Sequence, residues 1–165
     1  MKSVKVQLDG ASAGRSVRWS GAKDKILLVE DNEDDISLTV RAFQQNRIDN
    51  EIIVKRDGQE ALNYLFSKPD DAHPGGVELP ALVLLDINLP KLNGFEVLQQ
   101  IRGSESTRLL PVVILTTSDE PEDICRGYDL GTNSYLKKPN DLRMLRTMVS
   151  EIGGYWMGLN TSPSR

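Results

Sequence analysis

The stretch Ala81-Leu-Val-Leu-Leu-Asp86, continued by Ile87-Asn-Leu-Pro90 and Lys91-Leu-Asn-Gly94, decides how this chain folds. It is apolar at both parities, is bounded by Pro80 and Pro90, and ends abruptly in one carboxylate. A strand of that kind is buried on both faces, as in a parallel sheet, whereas a half-exposed strand alternates. In open α/β sheets, ligands and chemistry collect at the carboxyl edge of the strands. Asp86 is therefore a candidate reactive group and not merely a strand terminator.

The same texture recurs on either side. Lys25-Ile-Leu-Leu-Val29 is a first strand running into Glu30-Asp31-Asn32-Glu33-Asp34-Asp35. Ile36, Val40 and Phe43 then recur at helical spacing, with acids in the first turn where the helix dipole favours them. Glu51 to Lys55 predicts a second strand, and Asp57-Gly58 turns into a helix carrying Ala61, Leu62, Leu65 and Phe66. Residues 67–79 read as a long loop, since Pro69, His73, Pro74, Gly75 and Gly76 break regular structure. Gly94 to Arg102 is amphipathic, and Pro111 to Leu115 is a fourth strand ending in Thr116-Thr117-Ser118. Ser118 or Asp119 is the expected cap of the next helix, with Pro121 in its first turn and Gly131 at its far end. Ser134 to Lys137 makes a short fifth strand leading into Lys138-Pro139. Asn140 or Asp141 then caps a last helix with the stripe Leu142, Leu145, Val149 and Ile152. Five strands alternating with five helices predict a doubly wound, three-layer α/β sandwich with right-handed crossovers.

Composition narrows the function. The chain has 165 residues, 20 Lys and Arg against 24 Asp and Glu, and a net charge of -4. One domain with a real core is expected, without the basic footprint that nucleic acid demands. A single Cys125 excludes an internal disulfide framework and is expected as a small packing residue of the fourth helix. No apolar run approaches a membrane span, and the N-terminus lacks a secretory h-region, so a cytoplasmic protein is the default. Residues 1–23 lack sustained periodicity and read as an N-terminal extension, native or expression-derived.

In a parallel sheet all strand ends share one edge, which brings Glu30, Asp31, Asp86, Thr116 and Lys138 together. Carboxylates roughly 5 Å apart repel by about 3 kcal/mol per pair at an effective dielectric of about 20. A hard divalent ion such as Mg²⁺ suits such oxygen ligands, and Lys138 adds a second positive group. Together they would neutralise an incoming phosphoryl group and leave a carboxylate free to form an acyl phosphate. Taken singly, each residue has a plainer reading as a turn former, a helix cap or a solvated lysine. Five such residue types at the ends of successive elements are hard to obtain from capping alone. A calcium loop starting at Asp31 is excluded, because Ile36 stands where glycine is needed.

From Lys25 to about Ile152 the chain resembles the receiver domain of two-component response regulators. The resemblance rests on Glu30-Asp31, Asp86, the turn Leu89-Pro90-Lys91-Leu92-Asn93-Gly94, Thr116, and Lys138-Pro139. It implies a flavodoxin-like five-stranded parallel sheet in the order 2-1-3-4-5, with a receiver domain over 24–158 and a tail over 159–165. It implies that Asp86 is phosphorylated and that Asp31, Asp86 and the Asn88 carbonyl bind Mg²⁺, with Glu30 acting through water. Lys138 would pair with the phosphoryl group, Thr116 would donate its hydroxyl to it, Thr117 would flank the pocket, and Tyr135 would be the aromatic switch. The implied donor is the phosphohistidine of a sensor histidine kinase.

About 13 residues follow Ile152, too few for an effector domain, so a stand-alone receiver is expected. The Pro-Gly loop and Gly153-Gly-Tyr-Trp-Met157 resemble single-domain regulators paired with bacterial phytochrome kinases. Tyr155 and Trp156 would either form a homodimer or kinase contact near helices four and five, or close the core beneath the N-terminal extension. His73, the sole histidine, is a poor phosphotransfer residue, so any next acceptor is another protein. The alternative class is an aspartyl-phosphate phosphotransferase of the haloacid dehalogenase type. It normally carries an acid two residues after its nucleophile, where this chain has Asn88, and holds that nucleophile on its first strand.

Overall fold

The computed structural model describes residues 25–67 and 78–161. The expected extension over 1–23, most of the Pro-Gly loop with His73, and the last four residues lie outside them. The elements are β1 (Ile26–Val29), α1 (Glu33–Gln45), β2 (Ile52–Lys55), α2 (Gly58–Leu65), β3 (Leu82–Leu85), α3 (Gly94–Gly103), β4 (Val112–Thr116), α4 (Pro121–Asp129), β5 (Ser134–Lys137) and α5 (Leu142–Gly153). A π-helical turn, Gly154–Leu159, continues α5. All strands pair in parallel, in the order β2-β1-β3-β4-β5. Among the described residues no helix is long and apolar enough to cross a membrane.

Both parities of β1 and β3 are buried because helices cover both faces. Leu27, Val29, Val83 and Leu85 pack with Leu62, Phe95, Leu98 and Ile101 of α2 and α3. Ile26, Leu28, Leu82 and Leu84 pack with Ile36, Phe43, Leu145, Val149 and Ile152 of α1 and α5. The continuous apolar run of β3 is thus two half-runs, one for each layer.

Local chemistry fixes where helices start. The Asn32 side chain accepts the amides of Asp34 and Asp35 at 2.9 and 3.1 Å and starts α1. Asn93 and Glu96 form a reciprocal capping box on α3. Asp57 caps α2 and Asp141 caps α5.

Several expectations need correction. Neither Ser118 nor Asp119 caps α4; the cap position is Glu120, which makes no side-chain bond, with Pro121 as the first helical residue. The two expected caps are engaged elsewhere, Ser118 Oγ donating to Asp123 at 2.7 Å and Asp119 pairing with Lys137. Leu142 is 38% exposed, so the buried stripe of α5 begins at Leu145. Phe66 follows the last residue of α2 and is also exposed. Cys125 is exposed instead of packed, because α4 buries only Gly127 against Ile114 and the Tyr135 ring. Of the two C-terminal aromatics, Trp156 packs on the α1/α5 core, while Tyr155 is 51% exposed.

Gly94 permits a close approach that bears on the site. A Cβ there would overlap the carbonyl of Asp86 and meet Ile87 Cα at 2.7 Å, both backbone atoms that cannot rotate away. Gly94→Ala is expected to cost about 2–3 kcal/mol, the scale of overpacking. A lowered urea midpoint at unchanged slope would record it; an unchanged midpoint would contradict it.

Candidate functional site

Strand register assembles the acids. Val29 stands opposite Leu85, so the next residues, Glu30 and Asp86, leave the sheet side by side, and the Asp86 amide donates to the Val29 carbonyl at 3.0 Å. Glu30 and Asp86 are buried while Asp31 is exposed. One carboxylate oxygen from each of the three lies within 4.8 Å of the others. At that separation each charged pair repels by about 3 kcal/mol for an effective dielectric of about 20.

Lys138 answers that repulsion. Its side chain is 9% exposed, and its ammonium donates to Glu30, to Asp35 at 2.9 Å and to Asp86 at 3.2 Å. The Lys138 amide donates to the Thr116 carbonyl at 2.6 Å, which holds the residue at the end of β4 and β5. Burial works against the charge, but the hydrogen bond to Glu30, the charge of Asp86 and the hydrogen bond to Asp35 outweigh it and raise the lysine pKa. Burial also raises Glu30, with Lys138 opposing.

The other expected residues form the surround. Thr116 is fully buried and its Oγ1 accepts the Ser118 amide at 3.4 Å; among the described residues no hydrogen bond joins it to Asp86. Thr117 and Asn88 lie exposed at the rim, the Asn88 amide reaching Asp86 Oδ1 at 3.4 Å. Tyr135 is half-buried and donates its hydroxyl to the Ser118 carbonyl at 3.2 Å. The turn carrying Asn88 alternates, with Ile87 and Leu89 buried and Asn88 outward.

Asp35 is the residue that sequence reasoning missed. It lay within an acidic run read collectively as dipole partners, yet α1 turns this one acid onto Lys138. Its place in the first turn of α1, close behind the acids that end β1, was the available signal.

The donor set fits a divalent ion. Oxygens sharing one Mg²⁺ at about 2.1 Å lie about 3–4 Å apart, so only a small closing of the acids is needed. The lysine leaves Asp31 exposed and open to such an ion.

A family model for the response regulator receiver domain matches residues 26–150. The chain belongs to that family. Among similar curated proteins, the probable methanogenesis regulatory protein FilR2 of Methanothrix harundinacea is 47% identical over 84% of this chain and 86% of its own. Response regulator Rcp1 of Synechocystis is 38% identical over 84% of this chain and 92% of its own. A crystal structure of Rcp1 in a Mn²⁺-bound form superimposes with TM-score 0.76, covering 86% of this chain and 99% of that chain. The phosphorylated cyanobacterial phytochrome response regulator RcpA is 40% identical with TM-score 0.78, over 87% of this chain and all of that chain. The receiver is thus related to phytochrome response regulators, and the haloacid dehalogenase alternative finds no support.

Proposed function

We propose that Asp86 accepts a phosphoryl group from the phosphohistidine of a sensor histidine kinase. The Asp86 carboxylate would attack phosphorus as the P–N bond breaks, leaving an acyl phosphate on the protein and the imidazole on the kinase. The observation that carries this reading is Lys138, buried against Glu30 and Asp86 at the carboxyl edge of the sheet.

Each residue has a task there. Asp31, Asp86 and the Asn88 carbonyl would hold Mg²⁺, with Glu30 acting through water; the ion supplies charge neutralisation when bound. Lys138 needs only to shift its ammonium from the carboxylates to a phosphoryl oxygen. Thr116 would donate its hydroxyl to another, Thr117 would limit water access, and Tyr135 would follow Thr116 and alter the α4/β5/α5 surface.

The likeness to Rcp1 and RcpA supports a kinase of the phytochrome type. The receiver, over 24–158, would be cytoplasmic and act through protein contacts or onward transfer to another phosphotransfer protein. Incubation with acetyl phosphate and Mg²⁺ is expected to give an Asp86 adduct, whereas a generic phosphate ester is left intact. Rapid turnover of the ester without an adduct would sink the proposal.

A homodimer through α4 and α5 is part of the same reading. A groove of about 770 Å³ lies between β5 and α5, away from the acids, lined by Leu136, Met144, Met148, Ile152, Tyr155 and Trp156. Met144 is 64% and Tyr155 51% exposed. Light scattering at micromolar concentration should return a dimer mass; a monomer both before and after phosphorylation removes this part.

A further inference from the structure

The turn between β3 and α3 is tied down at two places. At its base the Gly94 amide donates to the Ile87 carbonyl at 3.0 Å. At its tip Lys91 reaches the neighbouring helix of the same layer, its ammonium lying 2.5 Å from Asp57 Oδ2 at the start of α2. Asn88 sits between these anchors. Neither Asp57 nor α2 belongs to the acidic cluster, and neither was singled out by the family's motif residues.

The tip anchor is built on both sides. Asp57 has a nearly buried side chain and divides its oxygens: Oδ1 accepts the Glu60 amide at 2.7 Å and caps α2, while Oδ2 is left for Lys91. The Lys91 ammonium, and next the Glu60 amide, hold the Asp57 carboxyl below its ordinary value. Lys91 adopts φ 65°, a left-handed conformation that residues with side chains rarely take. Gly58 completes the seat, since a Cβ there would overlap the Leu92 carbonyl and meet Val97 Cγ2 at 2.7 Å. The start of α2 therefore rests directly on the turn's backbone.

We propose that Asp57 and Lys91 are positioning residues for divalent-ion binding, a clamp that fixes the turn so that the Asn88 carbonyl faces the acids. This rests on the reading of that carbonyl as an ion ligand. A metal that prefers near-ideal geometry is sensitive to small displacements of one ligand, and a backbone carbonyl moves only when its whole turn moves. Through the clamp, the ion's affinity depends on a helix that never touches it.

The test uses Mn²⁺ as probe, its binding followed by the paramagnetic signal of the free ion, on the whole chain. Lys91→Met keeps the aliphatic stem of a largely exposed side chain. Asp57→Asn keeps a good helix cap while removing the charge. Each is expected to weaken Mn²⁺ binding about fivefold, the scale of one exposed ion pair, with the amides of Asn88 and Leu89 exchanging faster. The double variant should be no worse than either single one, because both remove the same interaction. A merely structural pair would lower the thermal midpoint and leave Mn²⁺ affinity unchanged, and that result overturns the clamp. Additive losses overturn the pairing. If Asp31→Asn binds Mn²⁺ as tightly as wild type, the ion site itself is wrong and the clamp falls with it.

Discussion

Asp86→Asn is expected to lose all transferable label from acetyl phosphate or a cognate kinase, a drop of more than about 10³-fold, because an amide oxygen is no nucleophile at this centre. The variant should fold normally. Asp86 adds to the repulsion felt by Glu30, and the amide removes that like charge while Glu30 and Asp35 retain Lys138. Phosphotransfer profiling with wild type and variant side by side gives the measurement. Equal labelling of the two would move the phosphoacceptor elsewhere and refute the reading of the site. A variant that fails to label and is also unfolded would contradict the argument about charge.

Lys138→Met is expected to be the most destabilising single change in the site. It leaves buried Glu30 and Asp86 side by side without a cation, a loss of about 3 kcal/mol by analogy with breaking one side of a buried ion pair. For a domain of this size that is a fall of roughly 10 °C in the thermal midpoint. The lysine's pKa is raised above its ordinary 10.5, so its contribution is complete below that value and is lost only as pH rises through the raised one. The gap between wild type and variant should therefore hold from about pH 7 to about pH 10 and narrow above it. Mg²⁺ should raise the midpoint of the variant more than that of wild type, since the ion supplies the missing charge. Scanning calorimetry with and without Mg²⁺ checks both statements; an unchanged midpoint in metal-free buffer would mean that the acids do not need the lysine.

Both predictions lean on residues that were legible in the sequence. Glu30, Asp31, Asp86, Thr116 and Lys138 each end or follow a strand, and the strands were visible as short apolar runs ended by acids, threonines or a lysine. Asp35 and Asp57 were not legible in the same way. An acid at the start of a helix reads as a cap or a dipole partner whether or not it does anything else, and both residues occupy such positions. Asp57 is indeed a cap, and its second oxygen is the part that reaches the Asn88 turn. The exposure of Cys125 was hidden for a related reason. The sequence of α4 shows where it begins and ends but not how narrowly it seats on the sheet, which depends on Gly127 meeting Tyr135.

By itself the sequence determined the alternation of elements, the burial of β3 on both faces, and the set of carboxylates placed at strand ends. These follow from local properties: apolar parity, capping side chains, and Gly and Pro at turns. Only the tertiary structure decided that Val29 stands opposite Leu85, so that Glu30 and Asp86 share one lysine. It alone turned Asp35 inward and Tyr155 outward, and joined Lys91 to Asp57 across 34 positions of chain. Register, helix rotation and long-range ion pairs depend on how separate elements pack, and no local window of sequence contains both partners.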